Sequence, residues 1–289
     1  MDANTRLNQR RLADAWAELH TDAHQGNPLH ADAHRMAFAD PEFMFRRETR
    51  GIRFQLEMLK PDLGQAEQGI DNTVVVYGSA RFVSPKQAAK QLAQAKEKGH
   101  AHQMAEAERA VRNAKYYAQA RNFARLVAEH SKRQKPENRL YICTGGGPGI
   151  MEAANRGAHD VDAPNVGLSI ALPHEQGGNR FISPSLSFKF HYFALRKMHF
   201  MIRAKALVAF PGGFGTLDEL FEVLTLVQTK KAKPVPIILF GCDYWKRLIN
   251  WEFLVEEGTI SAHDLKLFHV TDDPAEAWAI IRDFYKLER

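Results

Sequence analysis

The chain has 289 residues, 45% hydrophobic and 25% charged, as expected for a soluble globular protein with one large domain or a domain carrying an extension. Its formal net charge of +5 favours anionic partners, with phosphates, nucleotides and nucleic acids all open on charge alone. No stretch approaches the roughly 18 apolar residues of a membrane span, and the amino-terminal MDANTRLNQRRLADAW is polar with no apolar leader. A cytoplasmic protein without a membrane partner is the expectation.

Residues 1–70 read as a polar, helical amino-terminal extension that packs on a core elsewhere or on another subunit. His20, His24, His30 and His34 form two i, i+4 pairs, a spacing that can hold zinc on a helix, but no cysteine lies near them, so no metal is expected. Ile52, Leu56 and Leu59 recur at helical spacing, and Pro61 with Gly64 is expected to end that helix. The remaining residues, 71–289, read as the main domain. Thr73–Ala80, TVVVYGSA, is a buried strand ending in Gly-Ser. Ser84, Pro85 and Gln87 form a helix-start signal. A long charged helix follows, or two joined near Gly99, an insertion over about residues 86–131. Its basic face is read as solvated or as an oligomer contact, not as a nucleic-acid surface.

From there strands and helices alternate: RLYICT and GIMEAANRGAHD, NVGLSIAL, HYFALRKMHFMIRA, KALVAFP and GTLDELFEVLTLVQ, PVPIILF and DYWKRLINWEFLVEEG, LKLFHV and PAEAWAIIRDFYKL. Continuous apolar strands between amphipathic helices imply an α/β fold, a doubly wound parallel sheet of about six strands covered on both faces. The two cysteines, Cys143 and Cys242, have no metal-ligand spacing and read as buried thiols in a reducing compartment.

Ligands of such sheets bind at the carboxyl ends of the strands. Three strand ends are small or glycine-rich: Gly78-Ser79-Ala80, Thr144 to Gly149 (TGGGPG), and Pro211 to Thr216 (PGGFGT). Glycine lets the backbone approach a ligand, and free amides at a helix start favour an anion, so the three together point to phosphate. The P-loop pattern is absent, since no lysine precedes Thr216; Gly145 and Gly147 are followed by Ile150 where a dinucleotide fingerprint needs its third glycine; and GGFGT is not the nucleophile elbow. Glu219 lies three residues after Thr216, on the same helix face and in the first turn. It reads either as a partner of the helix dipole or as a group serving a substrate, and Asp218 and Glu222 share the ambiguity. Arg196 and Lys197 follow the aromatic segment SPSLSFKFHYF, an irregular connection whose Phe188, Phe190, Tyr192 and Phe193 read as core or interface residues.

The pair TGGGPGIMEAANRGA and PGGFGTLDELFEVLTLVQ, with ALRKM between them, resembles the LOG ("lonely guy") family, cytokinin-activating phosphoribohydrolases and bacterial relatives often labelled lysine decarboxylases. The resemblance covers about Thr73 to Leu287; the first 70 residues and the helical insertion look like a bacterial branch. It implies a Rossmann-like fold and hydrolysis of nucleoside 5′-monophosphates, AMP-like or cytokinin riboside monophosphates, to free base and ribose 5-phosphate, with no cofactor. It implies Arg196 and Glu219 as the catalytic pair and Gly212, Gly213, Gly215 and Thr216 as the phosphate cradle. Lys197 resembles a substrate-binding lysine, and Gly78, Ser79, Gly146, Gly147 and Glu222 complete the expected substrate contacts. The loop LPHEQGGN, Leu172 to Asn179, resembles one beside the nucleotide, and the family suggests a homo-oligomer, a dimer or higher. Two other functions stay open: a non-catalytic module for a nucleotide or the molybdenum cofactor, and lysine decarboxylation, for which Lys189, Lys197 and Lys205 offer no recognisable cofactor-lysine motif.

Overall fold

The computed structural model describes residues 36–171 and 177–287; the histidine pairs and residues 172–176 of the LPHEQGGN loop lie outside them. The chain divides into two compact units between Glu57 and Met58. In the first, helix α1 (Pro41–Met44) is capped by Asp40, whose carboxylate accepts from the Phe43 amide at 3.1 Å. Thr49 is buried, and its hydroxyl donates to the Met44 carbonyl at 2.9 Å. Helix α2 (Arg50–Glu67) begins here.

The sequence reading ended α2 at Pro61 and Gly64, but the helix runs through both to Glu67. Proline removes only one intrahelical bond, and the Gln65 side chain donates to the Pro61 carbonyl at 3.1 Å, with Pro61 and Gln65 both buried. Gly64 serves close packing: a Cβ there would stand 2.8 Å from the Phe188 ring. Gly69, at φ +67°, follows the true end.

The second unit holds a seven-stranded parallel sheet. Strand β1 (Thr73–Tyr77) leads through α3 (Pro85–Lys98) and α4 (Ala101–Lys132) to β2 (Tyr141–Thr144), α5 (Ile150–His159), β3 (Asn165–Ile170), β4 (Ser187–Phe190) and α6 (Phe193–Ile202). Then come β5 (Ala204–Ala209), α7 (Phe214–Gln228), β6 (Ile237–Phe240), α8 (Cys242–Leu248), α9 (Trp251–Glu256), β7 (His269–Thr271) and α10 (Pro274–Tyr285). The Ser84 hydroxyl accepts from the Gln87 amide at 3.3 Å, with Pro85 first in α3, and left-handed Gly99 separates α3 from α4, the second of the two alternatives read from the sequence.

Three details depart from the sequence reading. The seventh strand is β4, within the aromatic segment taken as irregular: Phe188 and Phe190 are buried while Ser187 and Lys189 are exposed, a period-two alternation only four residues long. The expected helix DYWKRLINWEFLVEEG is two, because the Asn250 side chain accepts from the Phe253 amide at 3.1 Å and starts α9 anew. Cys143 is buried as read, but Cys242 is exposed, since Gly241 turns the chain out of β6 and sets Cys242 at the open start of α8.

The strand order is β4-β3-β2-β1-β5-β6-β7. The chain winds outward from β1 to β4, then returns to lay β5 on the other side of β1, so the direction of winding reverses between β1 and β5. Val74 and Val76 face a core with Phe123, Val127, Ile150 and Ile281; Val75 and Tyr77 face a second with Phe190, Phe200, Leu220 and Trp245. In register, Val76 lies beside Thr144 and Val208, and Tyr77 beside Ala209, so the glycine-rich loops after β1, β2 and β5 emerge together. Backbone bonds lace them: the Phe210 amide donates to Tyr77 at 2.9 Å, Ser79 to Pro211 at 3.0 Å and Ile150 to Ser79 at 3.0 Å.

A buried polar network holds the middle loop. The Thr144 hydroxyl donates to Asn155 Oδ1 at 2.7 Å and accepts from the Gly146 amide at 2.9 Å; Asn155 Nδ2 donates to Asn165 Oδ1 at 2.8 Å. Asn179 Nδ2 donates to the Gly147 carbonyl at 3.1 Å and to Asn155 Oδ1 at 2.9 Å. Fully buried Asn155 is the hub. Asn155→Ala strands the polar groups around it and is expected to cost about 1–3 kcal/mol, read as a lower urea midpoint; an unchanged midpoint would contradict the assignment.

Candidate functional site

The three loops open onto one cavity of about 1010 Å³, at the upper end of the usual range for small-molecule sites. Gly78, Ser79, Gly145 and Gly147 line it beside Gly212, Gly213, Gly215 and Thr216. The last group forms the start of α7, a 15-residue helix with Gly213 at its N-cap and no side chain capping its first amides. Those amides and the positive end of the helix dipole suit an anion. Gly212 is required by close approach, because a Cβ there would sit 2.1 Å from Thr216 Oγ1. Its carbonyl accepts from the Tyr244 hydroxyl at 2.6 Å, which ties the loop to α8.

Arg196 and Glu219 meet on the same wall: Arg196 Nη2 donates to Glu219 Oε1 at 3.0 Å, with the side chains 13% and 6% exposed. The guanidinium lies over the rings of Phe193 and Phe200, at 5.1 and 5.6 Å from their centroids, three residues before and four after it on α6. Thr216 and Glu219 share the buried face of α7, as their spacing predicts. Glu219 does not lie in the first turn, however: α7 starts at Phe214, its first turn has no acidic residue, and Glu219 is past it. The helix dipole acts mainly within that turn, so dipole stabilisation accounts poorly for Glu219.

Burial is the largest influence on Glu219 and raises its pKa from 4.5 to about 7, against the pull of Arg196 and Lys197 in the other direction. The folded chain therefore holds this proton more tightly than the unfolded chain. Stability from this group grows as pH falls from 7 toward 4.5 and is lost as pH rises through 7.

The remaining expected site residues divide. Lys197 bridges Asp218 at 2.8 Å and Glu222 at 3.2 Å, and all three border a separate surface hollow with Leu217 and Phe221. Gly146 is buried behind the wall, its amide on Thr144 and its carbonyl accepting from the Asn179 amide at 2.7 Å. Of the aromatics read as core or interface, Phe188 and Phe190 are core, whereas Phe193 is half exposed and lines the cavity. The sequence reading missed Arg81, Arg109 and Arg112, which join Arg196 around a cavity whose single carboxylate among the lining residues is Glu219. Arg109, Arg112 and Asn113 share one face of α4, so i, i+3, i+4 spacing in the charged insertion was the available signal. Among the described residues no cluster of histidine, cysteine, aspartate and glutamate is arranged to hold a metal, and no helix is long and apolar enough to cross a membrane.

Residues 151–281, which carry α5 after its first residue, Arg196 and all of α7, match the family described as possible lysine decarboxylase. Curated relatives with LOG names are similar to the chain at modest identity. A probable cytokinin riboside 5′-monophosphate phosphoribohydrolase of Oryza sativa subsp. japonica is 30% identical over 148 residues, 50% of this chain and 63% of the relative. An Arabidopsis thaliana protein of that activity is 31% identical over 121 residues, 40% of this chain and 54% of the relative. The Escherichia coli K12 pyrimidine/purine nucleotide 5′-monophosphate nucleosidase is 29% identical over 172 residues, 52% and 35%. The chain thus spans little more than half the length of the plant LOG-type relatives. Among solved structures, the molybdenum cofactor binding protein of Rippkaea orientalis aligns over 74% of this chain and 98% of its own, at 14% identity and TM-score 0.47.

Titration of ¹³C-labelled glutamate carboxyls checks the electrostatics of this site. The Glu219 resonance is expected to titrate near pH 7, and Arg196→Met to move the midpoint upward, because Arg196 favours the ionised form. An ordinary midpoint, or a downward shift in the variant, contradicts the assignment.

Proposed function

We propose that this chain hydrolyses the N-glycosidic bond of nucleoside 5′-monophosphates, releasing the free base and ribose 5-phosphate. The observation that carries the reading is the buried Arg196–Glu219 pair on the wall of the cavity that also holds the uncapped start of α7. The names of the plant and bacterial relatives support it at the level of the family.

In this reading the 5′-phosphate docks on the amides of Phe214, Gly215 and Thr216, which fixes the sugar and supplies binding energy remote from the reacting bond. Bond cleavage passes through an oxocarbenium-like state, with positive charge growing on the ribose and negative charge on the departing base. The ionised Glu219 carboxylate stabilises the sugar cation and orients the attacking water. Arg196 stabilises the leaving base as a fixed charge, since a guanidinium does not readily give up its proton. Binding of a ligand would draw Arg196 from Glu219 toward the leaving group. Arg81, Arg109 and Arg112 add positive potential that favours entry of the phosphate.

Lysine decarboxylation fits the cavity poorly. No lysine is among the residues lining it. Burial pulls the Lys197 pKa down, but hydrogen bonds and charge from Asp218 and Glu222 outweigh this and raise it, whereas a Schiff-base lysine needs it lowered. Ligand retention without turnover would instead favour a binding module.

Purified protein is to be incubated with AMP, CMP, GMP and UMP and free base followed by chromatography. Release is expected, with kcat/KM lowered about 100-fold or more by Glu219→Gln or Arg196→Ala; no release from any nucleotide, or equal release by the Glu219 variant, defeats the reading. The kcat/KM of the wild type is expected to rise with pH through about 7 as Glu219 ionises. Arg109→Ala combined with Arg112→Ala is expected to raise KM several-fold with kcat nearly unchanged, an effect that shrinks in high salt because both side chains are exposed; a salt-independent loss would contradict it.

A further inference from the structure

Tyr77 ends β1 directly beside the winding reversal of the sheet, yet the reaction outlined above gives it no part. Its side chain is buried, and its phenol oxygen is shielded from solvent with no hydrogen-bond partner among the described residues. A buried polar group left unpaired is costly, and such groups in a native fold call for an explanation. The ring is fixed: it meets Phe200 edge-on, with centroids 5.2 Å apart and planes at 87°. Phe200 also carries the Arg196 guanidinium over its face. Tyr77, Phe200, Arg196 and Glu219 therefore form one packed group.

A second orphan sits in this group. Arg196 Nε is also buried and unpaired, while Arg196 Nη2 is spent on Glu219. The wall thus holds two unused donors beside one buried carboxylate that is bonded by the arginine. When a ligand recruits Arg196, Glu219 loses its guanidinium partner in a site that already disfavours its charge, and a replacement donor is needed. We propose that Tyr77 is a positioning residue for Glu219, its phenol donating to the carboxylate once bound ligand draws Arg196 away. This rests on the nucleotide-hydrolase reading for the identity of the ligand.

The surroundings leave Tyr77 as the fitting donor. Burial first, then the Glu219 charge, pushes the phenol pKa well above its ordinary value, so the hydroxyl keeps its proton. Cys143 on β2 also faces Tyr77, and burial raises that thiol so that it stays neutral. On α6, Lys197 is held by Asp218 and Glu222, and the His199 ring lies tilted against Phe190 with centroids 5.2 Å apart. On α7, Asp218 and Glu222 are acceptors only.

The test uses Tyr77→Phe, which removes one oxygen and keeps the ring against Phe200. Glu219 is titrated by ¹³C carboxyl resonance in wild type and variant, each free and saturated with a C-nucleoside analogue of AMP, whose base is joined to the ribose by a carbon–carbon bond that hydrolysis does not cleave. With the analogue bound, the variant's midpoint is expected about one unit above the wild type's, a tenfold tighter hold on the proton; without it the two should nearly coincide. Coincident midpoints in the bound state, equal shifts in both states, or no binding of the analogue by the wild type would overturn the proposal. Base release from the four nucleotides, measured in parallel, separates the outcomes: absent turnover with a ligand-dependent shift rejects the hydrolase and keeps the role of Tyr77.

Discussion

A carboxylate enclosed by protein is costly, and Glu219 is enclosed on the inner face of α7 with its side chain only 6% exposed. Its compensation comes from Arg196 on another helix, and that cation is itself removed from water and needs its own support. Phe193 and Phe200 provide it, one ring on either side along α6. The pair does not neutralise the cost of burial, since Glu219 still has a pKa near 7. A pair in that balance adds little to stability. It leaves a carboxylate and a guanidinium facing an open cavity, each able to exchange its partner for a ligand.

The rest of the fold brings these two helices into register. The reversal of winding places β5 against β1, so α6 and α7, which flank β5 in sequence, meet over the ends of the two central strands. Hydrogen bonds from Phe210 to Tyr77 and from Ser79 to Pro211 hold those ends together. On the opposite side, the Asn155 network fixes the loop after β2, reaching the cavity lining at the Gly147 carbonyl. The uncapped start of α7 then lies within reach of the cavity that Arg196 and Glu219 share. Electrostatics follow the same plan: four arginines and one carboxylate line the cavity, an arrangement that favours an anionic ligand with one part needing a negative neighbour.

Much of this was legible in the sequence because it rests on local signals. Apolar runs alternating with amphipathic helices gave six of the seven strands, and the spacing from Thr216 to Glu219 gave their shared face. Ser84 and Gly99 marked helix limits through capping and left-handed geometry that those residues favour. The misreadings arose where tertiary packing prevailed. Pro61 and Gly64 are breakers by propensity, but a buried Gln65 and the Phe188 ring make the helix the better solution there. Strand β4 offers only four residues of alternation, inside an aromatic run that conceals it. The placement of Arg109 and Arg112 at the cavity depends on where a long inserted helix packs, and Lys197 was separated from the cavity by two carboxylates across a helix pair. The first leaves only the i, i+3, i+4 spacing of one helix face as its local signal, and the second leaves none.

Hydrolysis by Arg196 and Glu219 requires a nucleotide to sit in one orientation in the cavity. A crystal structure of the Glu219→Gln variant with AMP addresses this directly, since the substitution preserves shape while slowing turnover. Phosphate oxygens are expected within hydrogen-bond distance of the Phe214, Gly215 and Thr216 amides, with the ribosyl C1′ facing residue 219 and Arg196 turned toward the base. Phosphate held instead by Arg109 and Arg112, or a sugar remote from residue 219, would contradict it.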